Sequence, residues 1–287
     1  MREMMQTGNR RTNRADGATF RLRTTLAFFA LVLVALLVAA LAAVQIDGRT
    51  IDGVSVWAKP AKFLAAIAIH VLTFTWALGY VSPEKREGPV LRGAVLLLIG
   101  ANIFELAWIG WQAAHGLHSH FNDDTPFFTL MYALMGLAAV AIVAVNLPLA
   151  LMIWRHPKAG IGPDFRTAII IGLVSAVLLG GGFGIYMSAQ PGHAVGAVGG
   201  HFPLFGWNRL GGDLRVAHFL GIHAEQFIPL AGFMAGRLTR SLRWPVLLFA
   251  TAAYVALTIF VFIQALEGRP FLHGFTRTLQ TQILASR

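Results

Sequence analysis

The sequence predicts an all-α integral membrane protein, a bundle of about seven transmembrane helices with its N-terminus in the cytoplasm and its C-terminus outside. Three observations predict it. The 287-residue chain is 56% hydrophobic and only 13% charged, about half the roughly 25% charged share of a soluble domain. Several apolar runs reach the roughly 20 residues that a helix needs to cross a bilayer core. Fifteen of the 23 Lys and Arg residues fall in alternate connections, which sets an orientation.

The elements follow in order. Residues 1–24 form a basic cytoplasmic segment containing Arg2, Arg10, Arg11, Arg14, Arg21 and Arg23. The run behind it, TLAFFALVLVALLVAALAAVQ, is longer than the apolar region of a signal peptide and reads as a retained first span. The transmembrane domain covers 25–266. Its expected spans are 25–45, 61–81, 91–112, 127–153, 167–189, 214–236 and 244–266, and 267–287 form a short outside tail. Pro60 and Pro126 suit first helical turns, where no amide donor is lost. The inside connections carry Lys85, Arg86, Arg92, Arg155, Lys158, Arg166, Arg237, Arg240 and Arg243.

Composition excludes several classes. There is no cysteine, which removes disulfides, thiolate metal sites, iron–sulfur clusters and covalent CxxCH haem attachment. The net charge of +10 would suggest nucleic acid in a soluble chain, but here the basic residues flank apolar spans, so the expected partner is the lipid bilayer and not nucleic acid. The seventh span holds no lysine for a retinal Schiff base.

Polar residues inside the spans are the candidates for chemistry, because an ionisable group in hydrocarbon costs at least a few kcal/mol and normally faces a partner or a wet cavity. In the third span Asn102, Glu105 and Gln112 lie within about 80° of one another on a helix, one polar stripe. Trp108 and Trp111 near its outer end read as an interfacial belt. The sixth span places His218, His223, Glu225 and Gln226 within nine residues. His218 and His223 are about 140° apart on one helix, which is not a chelating spacing. In the second span Lys59, Phe63 and His70 share a face. Lys59 and Lys62 either snorkel or bind an anion such as a lipid headgroup or a haem propionate, and Arg215 is a second propionate candidate.

Between the third and fourth spans lies HGLHSHFNDD, residues 115–124. Gly116 weakens any chelate of His115 with His118, so His120 and Asn122 are the candidates there, while Asp123 and Asp124 are expected to cap the next helix. The stretch from Gly180 to Gly212 holds eleven glycines without a phosphate-binding spacing. Gly180, Gly181, Gly182 and Gly184 are expected to permit close helix packing. The remainder, with His193, His201 and Trp207, is expected to be a flexible loop, with a lid as the alternative.

WAKPAKF (57–63), SHFN (119–122) and GGDLRVAHFLGIHA (211–224) resemble recurring motifs of an uncharacterised family of bacterial multi-pass integral membrane proteins. The resemblance implies a bacterial inner (cytoplasmic) membrane location. It singles out Trp57, Lys59, Pro60, Lys62, Phe63, His120, Asn122, Asp213, Arg215, His218 and His223, and brings no reaction with it.

The residues themselves suggest a His/Glu-lined site in the outer half of the bundle, and three functions from different classes follow. The first is haem b or metal-ion binding in a redox role, with His70, His120, His218 and His223 as ligands, Lys59 and Arg215 on propionates, and a redox or other membrane protein as partner. The second is a membrane-embedded metal-dependent hydrolase with Glu105 or Asp123 as base. The third is a proton-coupled transporter in which Glu105 and Glu225 handle protons and His70 joins the relay. A structural or assembly role is the fourth.

Overall fold

A computed structural model describes residues 2–120, 122, 124–202 and 205–272, with side chains described from Leu22 onward. Asp123, His273, Arg277 and Arg287 lie outside the described residues, as do the side chains of Arg2 to Arg21. Six helical segments among the described residues are long and apolar enough to cross a membrane: Leu22–Ile46, Ala58–Leu78, Pro89–Ala114, Pro126–Arg155, Pro163–Ser188 and Arg240–Leu266. The chain is therefore a predominantly helical, multi-pass membrane protein whose apolar helices suit lipid. Phe28, Leu96 and Phe249 leave 67%, 72% and 76% of their surface uncovered, apolar exposure that would be a liability in water.

The expected span at 214–236 is the exception. It forms two shorter helices, α9 (Leu214–Ile222) and α10 (Ala224–Ala235), separated at His223. Pro229 inside α10 contributes no amide to the turn before it. Tyr254 Oη donates to the Leu220 carbonyl at 2.6 Å, satisfying a last-turn carbonyl of α9.

The chain divides into two units, Met1–Ile170 and Ile171–Arg287. In the first, α1 (Arg2–Ile46) packs along α2 (Ala58–Leu78). The buried face of α2, Pro60, Leu64, Ile67, Val71, Phe74 and Leu78, recurs at helical spacing. A short hairpin of β1 (Thr50–Ile51) and β2 (Val54–Ser55) links the two helices. After the single turn α3 (Pro83–Arg86), Pro89 opens α4 (Pro89–Ala114), which packs against α1, α2, α5 (Pro126–Ala144) and α6 (Asn146–Arg155). The expected fourth span is broken between α5 and α6, where Pro148 lacks the amide that would bond the Ala144 carbonyl. Thr125 caps α5 by accepting from the Phe128 amide at 3.2 Å. The expected capping role of Asp124 is thus taken by the next residue, whose hydroxyl has the right offset to Pro126.

Helix α7 (Pro163–Ser175) begins in the first unit, and in the second it passes into a π-helical turn at Ala176–Gly181 and then α8 (Gly182–Ser188). Helices α8 and α9 pack together, and α9 and α10 both pack on α11 (Arg240–Leu266). The segment expected to be a flexible loop is knit by its own contacts. Strand β3 (Ala194–Val195) pairs with β4 (Gly212–Asp213). The buried Asn208 amide bridges Gly199 N, at 3.0 Å, and the Ala197 carbonyl, at 2.7 Å.

Candidate functional site

Trp57, the first residue of the WAKPAKF stretch, donates from Nε1 to Asp47 Oδ2 at 2.7 Å, which fixes the start of α2 against the end of α1. Arg49 forks onto the same carboxylate, at 3.0 and 2.6 Å, and reaches the Ala114 carbonyl at the end of α4. The Arg49 guanidinium, with the Trp57 indole, holds the Asp47 carboxyl well below the usual carboxylate range.

Two residues along from Trp57, Lys59 meets His120, 61 positions away in the chain. Lys59 Nζ lies 3.0 Å from His120 Nδ1 and Ser119 Oγ 3.2 Å from the same atom. An ammonium only donates, so Nδ1 accepts and the imidazole proton sits on Nε2. The Phe63 and Tyr132 rings stand 5.6 and 6.0 Å from the imidazole. Burial, and then the Lys59 charge, push His120 down to about 3, so the ring is neutral. WAKPAKF and SHFN thus converge on one contact. Lys62 is exposed, as snorkelling requires.

The rest of the 115–124 stretch is tied to α4. Gln112 Nε2 and Asn122 Nδ2 both donate to the His118 carbonyl, each at 3.1 Å. His115 bonds the Trp111 carbonyl and lies against that ring, and His118 Nε2 is 3.6 Å from Asp52. An open cavity of about 310 Å³ lies between this segment and the β1–β2 hairpin, lined by Thr50, Ile51, Leu117, His118, Asn122 and Asp124 among others.

Beneath that segment the predicted stripe lies on the buried face of α4. Asn102 and Gln112 are fully buried and Glu105 is 2% exposed. Asn102 Nδ2 donates to the Leu98 carbonyl at 2.8 Å. The Asn102 and Gln112 amide oxygens and both carboxyl oxygens of Glu105 have no hydrogen-bond partner. The Lys59 ammonium is within electrostatic reach of Glu105 without bonding to it. Trp108, expected in an interfacial belt, is 9% exposed and packs with Ile109 and Met135; Trp111 is 45% exposed. Helical phase decides between the neighbours: Trp108 shares the buried face of Glu105, Trp111 does not.

His70, in the middle of α2, is bonded through Nε2 to the Ile142 carbonyl at 3.1 Å, in the last turn of α5. That turn has carbonyls without helical partners, so the contact gives His70 a structural role at a helix end.

In the second unit His218 Nδ1 donates to the Gly180 carbonyl at 2.8 Å. The acceptor belongs to the π-helical turn, whose altered ladder releases carbonyls. Nε2 then keeps a lone pair. A side chain on Gly184 would press on the imidazole at 3.0 Å. His223 Nδ1 lies 3.0 Å from Gln226 Oε1, and Gln226 Nε2 donates to the Glu225 carboxyl at 2.8 Å. Glu225, expected to handle protons, is 3% exposed and held in this chain. Arg215, expected as a propionate contact, is engaged by Asp213 through two bonds of 2.9 and 2.6 Å and by the Gly206 carbonyl at 2.7 Å. Asp213, which also accepts from the Arg215 and Asn208 amides, is 1% exposed. The pair therefore fastens the glycine-rich segment to the start of α9.

Among the described residues, no group of three or more His, Asp or Glu side chains is arranged to hold a metal ion. The four candidate histidines sit on separate contacts: His120 on Lys59, His70 on Ile142, His218 on Gly180 and His223 on Gln226. No family model matches the chain, and neither does any curated protein or solved structure.

Proposed function

We propose that this chain is a proton-handling carrier of the bacterial inner membrane, with its N-terminus in the cytoplasm and Glu105 as the group that takes up and releases the proton. The single observation that carries this reading is the state of Glu105: buried on the central helix of its unit with neither carboxyl oxygen paired. A polar group so placed and unsatisfied forfeits stability, which is a reason to look for function there. Asn102 and Gln112 extend the polar face along α4. The Lys59–His120 contact stands where that face meets the 115–124 segment, on the outside in the proposed orientation. The positive-inside distribution of Lys and Arg supports that orientation. The likeness of WAKPAKF, SHFN and GGDLRVAHFLGIHA to bacterial membrane proteins supports the location.

The test is infrared spectroscopy of the purified protein. A protonated carboxyl stretch should be present at neutral pH, shift when water is replaced by D₂O, and vanish in Glu105→Gln. A Glu105 band that never exchanges would make the carboxyl an inert buried group and end this reading.

One observation favours a second reading, haem b binding in a redox role. His218, with Nδ1 fixed by a backbone carbonyl and Nε2 open, has the arrangement that presents an imidazole to iron. A porphyrin iron fits one such donor better than a bare ion does, since an ion needs several ligands that the described residues do not group. The same ungrouped donors leave a metal-dependent hydrolase without its ligand set. Protein purified from haem-replete cells should then show a Soret band that weakens in His218→Ala; a colourless preparation removes this reading.

A further inference from the structure

The unpaired buried polar atoms of α4 are all oxygens among the described residues. Two backbone carbonyls orient the amides of this face: the Leu98 carbonyl takes Asn102 Nδ2 and the His118 carbonyl takes Gln112 Nε2. Flipping either amide would set oxygen against oxygen, so both amide oxygens must point away from those carbonyls. Together with the Glu105 carboxyl they make four buried acceptor atoms without a partner, and no buried side-chain nitrogen of α4 is left unpaired among the described residues. Asn102 and Glu105 stand three residues apart, neighbours on the helix surface. Gln112 lies about 10 Å further along the axis, between this pair and the 115–124 segment.

A face whose unpaired atoms are all acceptors suits a ligand that is all donor or all positive charge. Anions and carbonyl compounds would add oxygen to oxygen. A single carboxylate balances a single positive charge, whereas a divalent ion in so dry a place would need a second. We infer that Glu105 and Asn102 bind a small monovalent cation, an alkali ion or a protonated primary amine, in exchange for the carboxyl proton, with Gln112 on the approach. This rests on the reading of Glu105 as the proton-handling group. In the exchange a carboxylic acid and M⁺ become a carboxylate–M⁺ pair and H⁺, so charge and atoms balance. The charged group that acts on Glu105 is Lys59, from α2, with its ammonium 3.0 Å from the neutral His120 ring. Its positive charge opposes the bound cation and so limits the affinity.

The test is proton release from the full-length protein in detergent and dilute buffer, titrated separately with Na⁺, K⁺ and methylammonium. N-methylglucamine, too bulky for the site, serves as the ionic-strength control. A small cation should release a proton per chain, N-methylglucamine none, and Glu105→Gln should release none with any salt. Asn102→Leu should raise the half-saturating concentration about tenfold, the loss of one charge-assisted contact. Lys59→Met should lower it. A response to the alkali ions alone or to methylammonium alone identifies which source of positive charge the site takes. Wild-type protein that releases no proton with any of the three cations overturns the inference, as does release that persists in Glu105→Gln. If the Glu105 infrared band still exchanges in that event, the cation site falls while the proton-handling role stands.

Discussion

Three consecutive glycines that look alike in sequence, Gly180, Gly181 and Gly182, should respond oppositely to alanine. A methyl group on Gly180 would lie 2.6 Å from Ile222 Cγ2, 2.7 Å from Ile222 N and 2.9 Å from Ile222 Cα. Carbon atoms in contact prefer about 3.5–4.0 Å, and two of those neighbours are backbone, which cannot rotate away. The π-helical turn and α9 would have to part by about 1 Å. Overpacking of this kind costs about 1–3 kcal/mol. The same movement stretches the His218–Gly180 bond, worth a further 0.5–1.5 kcal/mol or so. Gly180→Ala should thus destabilise the protein by about 2–4 kcal/mol, which is roughly 5–15 °C in unfolding midpoint. Gly221→Ala, whose methyl would meet Gly180 N at 2.5 Å, should behave likewise. Gly181 and Gly182 have nothing within 4 Å of an added methyl, and alanine there gains up to about 1 kcal/mol of helix propensity. Thermal unfolding of detergent-purified variants, followed by far-ultraviolet circular dichroism, separates the two pairs. The reasoning is refuted if Gly180→Ala unfolds no earlier than Gly182→Ala.

Two further outcomes follow from the geometry. His120, with an ordinary value of 6.5, is held down to about 3 in the fold. Between those values the unfolded chain binds more protons than the folded one, so stability is full above about pH 6.5 and lost as pH falls. At pH 5 the loss is at most about 2 kcal/mol, and His120→Gln should flatten the acid side of a midpoint-against-pH curve. Asp213→Ala leaves the Arg215 guanidinium without its carboxylate and opens the Asn208 junction, which should cost about 3–5 kcal/mol. Limited proteolysis should then cut within 189–213, and Asp213→Asn, which keeps an acceptor, should be the milder variant.

Much of the fold was legible because hydropathy and helical period are local properties. The stripe Asn102, Glu105, Gln112 was predicted from 100° steps alone, and it does lie on one buried face. Trp108 departs from the expected belt because hydropathy marks an aromatic residue near a span's end without saying whether its side is buried. The break at His223 leaves no mark in hydropathy, since 214–236 is apolar enough to span in one piece; Pro229 lies inside the following helix and does not set it. Asp124 and Thr125 are both good capping residues, and only the offset to Pro126 gives the role to Thr125. The Lys59–His120 contact was not legible, since nothing in either short stretch names its partner.

The sequence by itself determined that this chain has several helices apolar enough to cross a membrane and which polar residues interrupt its apolar runs. Those follow from the energy of placing each side chain in hydrocarbon, a sum over single residues. Only the tertiary structure decided what each of those residues faces. It put His70, His218 and Arg215 onto protein partners, and it left the oxygens of Asn102, Glu105 and Gln112 unmatched. Pairing depends on which helices approach and at what rotation, and that is settled by packing across the whole unit.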